Sequence, residues 1–527
     1  MRIGIDVGGT NTDAALVDGA RVVASVKSST TEEVSEGIEE ALRALSERHD
    51  FTSGDIDAVM IGTTHFVNAL VQARELAPTA AVRLGLPATS ALPPMVGWPR
   101  RIVEAIRGRS FLCHGGHEFD GRTISELRPA ELRAVAEQIG EAGISSVAIT
   151  SVFSPVNDEF EVRAAEIMAE VLPDAMFSLS HEVGRIGLLE RENATIISAS
   201  LRPLAGRIVN GLSKTLANRG MDAPLYLSQN DGTLMDVAYA LRYPVATFAS
   251  GPTNSMRGAA FLSGVGTCGV IDVGGTTTDI GVLTDGFPRE ATTEVSIAGI
   301  RTNFRMPDVL SIGLGGGSRI RTGGPQIEVG PDSVGYRITA EALVFGGSTL
   351  TATDIAVAAG RTDIGDRSLV AHLDPDLVAR AHNRIGEVMA DAADRMRPPG
   401  EELPVVAVGG GSVLVPDVLP GFGSVLRPDH FEVANAVGAA IAQVSGDVDR
   451  VFSVSEGRRG EVLDAAKAEA VDRAVAAGAD PATVGIVEVD EVPIAYLPGN
   501  ATRIRVKAVG DLTLGRRAAS GSSRENS

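Results

Sequence analysis

The sequence predicts an α/β protein built from two lobes, on three observations. First, IGIDVGGTNTDAALV at residues 3–17 returns as GVIDVGGTTTDIGVL at residues 269–283, and two copies of one motif imply two halves facing one ligand. Second, helix and strand patterns alternate through residues 128–179, the signature of a parallel sheet covered by helices. Third, 527 residues with 44% hydrophobic content can bury a large core and exceed one ordinary domain, so roughly two to four units are expected.

Each copy of the repeat opens with a short apolar run that reads as a buried strand, turns at Gly8-Gly9 or Gly274-Gly275, and returns as a second strand. Paired glycines carry no side chains and permit positive φ, so backbone N–H groups can approach phosphate oxygens. Thr10, Asn11 and Thr12, and Thr276, Thr277 and Thr278, add polar groups. Asp6 and Asp272 close the first strands, where a carboxylate can hold hydrated Mg²⁺, the usual companion of nucleotide phosphates. Asp13 and Asp279 could do the same or cap the turn. A single copy would serve equally well as ordinary hairpin punctuation; the match of D-V-G-G-T-x-T-D in both places favours phosphate binding.

In chain order, residues 21–27 read as a third strand and 31–48 as an amphipathic helix capped by Thr30 or Thr31. A buried strand, 56–61, empties into GTTHFVNAL, where Thr63, Thr64, His65 and Asn68 either line a site or merely cap the next helix. Residues 80–125, rich in Pro, Gly, Arg and His, read as an inserted loop-rich module. Its CHGGHEFDG could place Cys113, His114, His117, Glu118 and Asp120 around a transition metal or form a plain surface turn. The charged cluster His181, Glu182, Arg185, Glu190, Arg191 and Glu192 is expected to be mostly solvated.

A long helix, 196–217, leads to the strand 225–227, which empties into SQNDGTL. Ser228, Gln229, Asn230 and Asp231 there crowd the carboxyl end of a strand, where an open α/β sheet puts its ligand. SGPTNS places Ser250, Gly251 and Thr253 at another helix start. Triple glycines at 315–317 and 409–411 each allow a flat base or ribose to lie on backbone. Asp354 is either a site residue or part of a helix cap, and residues 435–440 form a small-residue helix start suited to tight packing at a hinge. A helix at 460–477 and strands at 483–493 and 502–508 suggest a small C-terminal α/β unit before a disordered tail. The expected organisation is a lobe at 1–190 with its insertion, a second lobe at 191–444, an accessory unit at 445–515 and a tail at 516–527.

No run approaches the roughly 20 apolar residues of a membrane span, and MRIGIDVGG reads as a strand rather than a secretory signal, so the cytoplasm is the expected compartment. Two cysteines, Cys113 and Cys268, build no disulfide framework. A formal charge of −20 disfavours nonspecific nucleic-acid binding.

The repeat resembles the paired phosphate motifs of the superfamily of actin, heat-shock ATPases and sugar kinases. Within it the chain is similar to the ATP-dependent hydantoinase/5-oxoprolinase A subunits, through DVGGTNTD, GTTHFVNAL, SQNDGTLM, ASGPTNSMRGAA, IDVGGTTTD and SIGLGGGS in that order, from residue 1 to about 444. The resemblance implies an actin-like ATPase (ribonuclease H-like) fold closing over ATP and Mg²⁺. It assigns Gly409, Gly410 and Gly411 to adenosine, Gly315 to Gly317 to the cleft, and Thr63, Thr64 and Asn68 to its catalytic side; Asn230 and Ser250, from their places at a strand end and a helix start, are expected to be further substrate contacts. It implies phosphorylation of a cyclic amide such as a hydantoin, 5-oxoproline or another lactam, with a B-type partner subunit and an oligomeric assembly. The family's C-terminal region is usually longer, which leaves substrate and assembly open. Two alternatives stand beside this reading: a hydroxyl kinase of sugar-kinase type, with Asp231 as general base, and a non-catalytic ATP-gated activator of a partner enzyme.

Overall fold

Strand Arg2–Val7 lies inside the largest sheet because its apolar residues are needed on both faces: Ile3, Ile5 and Val7 are fully buried, and Gly4 lets a helix press on the opposite side. The computed structural model describes residues 1–9, 11–29, 34–291, 295–322, 327–400, 402–453, 458–494 and 501–513. Nine strands form this sheet, in the order Gly485–Pro493, Ala501–Gly510, Val444–Ser453, Leu234–Asp236, Leu225–Ser228, Ala58–Thr63, Arg2–Val7, Asn11–Asp18 and Arg21–Ser29. One face is packed by Ile38, Leu42 and Leu45 of helix Val34–Arg48 and by Leu212 and Leu216 of the long helix Leu188–Asn218. The cap expected at Thr30 or Thr31 lies outside the described residues.

The second copy of the motif organises a second sheet, ordered Phe287–Pro288, Thr278–Thr284, Cys268–Val273, Val405–Val408, Gly423–Leu426 and Val418–Leu419, with Val309–Ile312 also paired to Thr278–Thr284. Ile271 and Ile280 pack here against Ile355, Ile385 and Met389 of helices Ala352–Ala358 and Pro375–Met396. The two hairpins share one register. Asp6 pairs with Asp13 and Asp272 with Asp279; Gly8 N donates to Asn11 O at 3.0 Å and Gly274 N to Thr277 O at 2.9 Å.

A third sheet of four parallel strands, Arg109–His114, Thr79–Leu86, Ser146–Ser151 and Met176–Leu179, carries helices Pro129–Glu141 and Glu159–Ala169. It corrects the loop-rich module expected near 80–125. Thr79–Leu86 is a central strand, buried along almost its whole length, and the Pro and Gly density that suggested loops belongs to the segment between it and Arg109. The charged cluster expected in solvent is buried as well: Arg191 is 0%, Glu192 2% and Glu190 8% exposed. Arg191 donates to Ser151 O at 2.6 Å and Ser180 Oγ at 2.9 Å, Glu161 holds His181 Nδ1 at 2.7 Å, and Glu192 pairs with Arg83. Burial is tolerated because each charge has a partner, which joins the small sheet to the long helix.

The chain also crosses between sheets at places other than residue 190. Leu225–Ser228 and Leu234–Asp236 hydrogen-bond into the first sheet, and the C-terminal strands extend that sheet, backed by Ala466, Ala470 and Ala474 of helix Arg459–Ala476. The tail from residue 516 lies outside the described residues. An arm of the second lobe, strands Val295–Ile297 and Ile300–Thr302, reaches back and buries Ile297, Ile300 and Phe304 among Trp98, Ile102 and Ile196. Helices Ser250–Ser263 and Ala434–Ile441 cross between the two large sheets at near backbone contact. A Cβ on Gly258 would lie 1.9 Å from Ala434 O, one on Gly438 1.8 Å from Asn254 O, and one on Gly4 2.0 Å from Ala436 O. Only glycine fits at these crossings. Among the described residues no helix is long and apolar enough to cross a membrane.

Candidate active site

Asp6 ends up enclosed because the residues around it are small or amide-bearing. It pairs across the sheet with Gly62, where a Cβ would lie 2.4 Å from Asp6 Oδ1 and 2.5 Å from Asn254 Nδ2. Asn435 Nδ2, at the start of the second crossing helix, donates to Asp6 Oδ2 at 3.0 Å and Asp13 Oδ2 at 2.8 Å. Lys27 Nζ binds both oxygens of Asp13, at 2.7 and 2.8 Å, and Glu432 O at 3.0 Å. Burial lifts the Asp6 carboxyl to about 6, with Asp13 adding to the rise and Asn435, Asn254 and Lys27 opposing it. Asn254 stands beside Asp6 Oδ1 at Gly62 and eases its charge.

Asp272 occupies the equivalent place on the second hairpin. Burial lifts it to about 7, the Ser255 hydroxyl and Lys27 oppose the shift, and Asp279 and Asp6 add to it. Asp6 is thus among the charges that raise Asp272, and Lys27 lowers both carboxyls. Helix Ser250–Ser263 serves them with consecutive residues, Asn254 beside Asp6 and Ser255 beside Asp272. Gly409 closes over Asp272: it adopts φ +82°, and a Cβ there would lie 2.2 Å from Asp272 Oδ1. The neighbouring Gly410 would bring its Cβ within 3.7 Å of Lys27 Cε, so a residue of the first sheet reaches the glycine loop of the second.

The glycine turns are built differently from the expectation of positive φ, which none of Gly8, Gly9, Gly274 and Gly275 adopts. Space distinguishes them instead. Cβ atoms on Gly8 and Gly274 would meet their own turns at 3.1 and 3.3 Å, whereas Gly9 and Gly275 have nothing within 4 Å. Each hairpin thus has one open backbone position, Gly9 in the first and Gly275 in the second. Gly316 N donates to Gly274 O at 3.0 Å, Gly317 N to Gly275 O at 2.7 Å and Gly411 N to Val273 O at 2.8 Å. Gly315 approaches so closely that a Cβ would lie 2.6 Å from Thr276 N. Gly315 to Gly317 and Gly411 thus pack on the second turn, as glycines of a buried turn do.

Models of two protein families match this chain: the hydantoinase/oxoprolinase N-terminal region over residues 2–172 and hydantoinase/oxoprolinase over residues 191–397. The chain belongs to the hydantoinase/oxoprolinase family. It is 27% identical over 391 residues to the caprolactamase subunit alpha of Pseudomonas jessenii, covering 68% of this chain and 54% of that protein. It is 26% identical over 396 residues to the acetophenone carboxylase gamma subunit of Aromatoleum aromaticum, covering 68% and 53%. The chain spans about half the length of these relatives. Its fold is that of the ATP-dependent caprolactamase from Pseudomonas jessenii (TM-score 0.79, 19% identity, 97% of this chain and 87% of that one) and of nucleotide-free acetone carboxylase (TM-score 0.66, 16% identity, 98% and 88%). The two-lobed α/β architecture and family likeness expected from the motifs are confirmed.

In this family member the remaining site candidates fall into three groups. Thr64, Asn68, Thr63 and Ser250 gather beside the first turn: Thr64 N donates to Val7 O at 3.3 Å, Asn68 Nδ2 to Thr64 Oγ1 at 3.4 Å, and Ser250 Oγ lies 3.3 Å from both Thr63 N and Thr63 O. Thr63 Oγ1 also accepts from His65 N at 3.2 Å, while Thr64, which precedes the helix His65–Gln72, makes no side-chain cap. Asn230 is one step further out, its Oδ1 accepting from Ala249 N at 2.8 Å. Thr12 is buried, Asn11 and Thr276 are half-buried and Thr277 is exposed; Thr10 lies outside the described residues.

Asp231 is placed otherwise than a free base requires. It is buried, with Lys507 Nζ at 2.7 Å and Thr233 N at 3.0 Å, and Lys507 holds its carboxyl well below the usual carboxylate range against the opposing effect of burial. Asp354 completes a capping box with Thr351. His114 turns to Glu131 at 3.1 Å and His117 packs on Phe160, and among the described residues no group of three His, Cys, Asp or Glu could hold a metal ion.

Sequence reasoning missed Lys27, Asn254 and Ser255, and gave Asn435 a packing role alone. Asn254 and Ser255 lie within ASGPTNSMRGAA, but which of its polar residues face the carboxylates depends on the helix crossing at Gly258, which no local pattern reveals.

Proposed function

We propose that this chain uses Mg·ATP to phosphorylate the carbonyl oxygen of a cyclic amide, preparing the ring for opening together with a B-type partner subunit. The observation that carries the reading is that two matching glycine hairpins, from two sheets, meet the same helix and the same lysine: Asn254 and Ser255 are consecutive residues beside Asp6 and Asp272, and Lys27 pairs with Asp13 while reaching Gly410 of the second lobe. The names of the relatives support it: one is a caprolactamase subunit and a protein of the same fold is an ATP-dependent caprolactamase.

Asp6 and Asp272 would hold hydrated Mg²⁺, and the donor set fits it: both offer carboxylate oxygens, as a hard cation prefers. The ion supplies neutralisation of phosphate charge. The open backbone at Gly9 and Gly275 admits phosphate oxygens, Lys27, paired with Asp13, offsets the carboxylate charge of the first hairpin, and Gly409 fixes Asp272, with adenosine along Gly409 to Gly411. The amide oxygen uses a lone pair to form the new bond to the γ-phosphorus, the bond to the bridging oxygen breaks, ADP leaves, and the ring N–H proton passes to solvent.

The Asp231–Lys507 pair weighs against the hydroxyl kinase. An alcohol must lose its O–H proton to a base, and a carboxylate held far below neutrality by a buried lysine is a weak one. An amide oxygen has no such proton to lose.

An ATPase assay of the full chain, alone and with the protein encoded beside it, tests the reading against hydantoin, 2-pyrrolidone, 5-oxoproline and a polyol panel. Stimulation by a ring supports it. Stimulation by polyols alone, or by no small molecule, overturns it in favour of the kinase or the ATP-gated activator.

A further inference from the structure

We infer that a separate polar cavity of about 230 Å³ receives the ring, and that it takes a neutral cyclic amide or imide in preference to one bearing a carboxylate. The inference rests on the function proposed above and assigns its substrate a place. Asn230, Tyr243, Phe304, Arg305, Asp447 and Asp449 line the cavity, drawn from the first sheet, the second-lobe arm and the C-terminal strand Val444–Ser453. Its wall is tied to the first hairpin through Asn230 to Ala249 N, then Ser250 to Thr63, then Thr63 paired with Val7.

Three donors on residues lining this cavity lack an acceptor. The Tyr243 hydroxyl, on a residue only 4% exposed, Arg305 Nη2 and Arg185 Nε are buried with no hydrogen-bond partner among the described residues. Buried polar groups are nearly always satisfied, so orphaned donors around one cavity point to an acceptor, which a carbonyl oxygen with two lone pairs supplies. Phe304 supplies an apolar wall for ring methylenes.

Charge decides which ring. Arg305 Nη1 is paired with Asp447 at 2.5 Å, Arg185 with Glu290 at 3.1 Å, Asp231 with Lys507 at 2.7 Å, Asp449 with Arg503 at 2.6 Å and Glu182 with Arg242 at 3.1 Å. The cations around the cavity are thus already neutralised by protein carboxylates. A ligand carboxylate would enter desolvated and without a counter-ion, whereas an uncharged ring meets only hydrogen-bond donors and apolar surface.

The test uses 2-pyrrolidone and 5-oxoproline, which differ by one carboxylate. Binding of each to the full chain, with Mg²⁺ and a non-hydrolysable ATP analogue, is read by titration calorimetry, and thermal unfolding verifies that variants fold. The expected result is that 2-pyrrolidone binds at least about tenfold more tightly than 5-oxoproline. Tyr243→Phe, which removes one hydroxyl, then weakens 2-pyrrolidone roughly three- to tenfold, and Arg305→Lys weakens it as well. Equal or tighter binding of 5-oxoproline, wild-type affinity in both variants, or no binding of either ring overturns the inference. Ring-stimulated ATP turnover unaltered in both variants would refute this cavity and leave the proposed reaction standing; ring binding lost in the variants without any stimulated turnover would do the reverse.

Discussion

The two hairpins share a sequence, a register and a turn hydrogen bond, yet their carboxylates live in different surroundings. Asp6 is 4% exposed and tied to Asp13 through Asn435, while Lys27 neutralises Asp13. Asp272 is half-buried and eased by Ser255, and its cross-strand neighbour Asp279 accepts from the Ser311 hydroxyl. The duplication fixes where the carboxylates stand; what packs on them fixes how readily they ionise. Burial raises both carboxyls, Asp6 to about 6 and Asp272 to about 7, and Lys27 opposes the rise in each.

The largest expected effect is on turnover. Asp6→Asn and Asp272→Asn should each lower kcat of ATP hydrolysis about 10²–10³-fold or more while the protein still folds cooperatively. Near wild-type turnover at saturating Mg·ATP in either variant would remove that carboxylate from the site.

Next come the glycines. Gly409→Ala should cost about tenfold or more in turnover, because its Cβ would collide with Asp272 Oδ1 and φ +82° disfavours any side chain. Gly9→Ala has free space, so its melting temperature should stay close to wild type while KM for ATP rises severalfold. Equal loss of stability in both variants would contradict the distinction between a braced and an open position.

A smaller effect is a pH slope. Both carboxyls titrate above the usual 3.8, so the folded state binds more protons than the unfolded one between about pH 4 and pH 7, and their contribution to stability falls as pH rises through that window. Melting curves should show a shallower loss over pH 5–7 in Asp272→Asn than in wild type, and Mg²⁺ should stabilise the wild type more at pH 8 than at pH 5.5. An unchanged slope would mean that Asp272 is not held protonated. Smallest of all, His114→Ala should change stability by about 1 kcal/mol or less, since its Glu131 contact is partly exposed.

The sequence disclosed the parts of this arrangement that are local. The repeat, its turns, and the strand end at Thr63 were legible because strand periodicity and glycine pairs are written in consecutive residues. Lys27, Asn254 and Ser255 were not, because their roles arise where strands and helices distant in sequence meet; Lys27 reaches Gly410 and Glu432 O from the far half of the chain. Arg191 and Glu192 look like solvated charge in a linear reading, and only their partners Glu161, Ser151 and Arg83 explain their burial. The C-terminal strands were visible as strands, but no local signal showed that Val444–Ser453 would extend the first sheet beside Leu234.

Whether both hairpins serve one nucleotide is decided most directly by calorimetric titration of Mg²⁺ and a non-hydrolysable ATP analogue into the wild type, Asp6→Asn, Asp272→Asn and the double variant. A single shared site predicts one nucleotide per chain, weaker binding in each single variant, and a double variant whose loss differs from the sum of the two. Two nucleotides per chain, or a single variant that binds like the wild type, would contradict it.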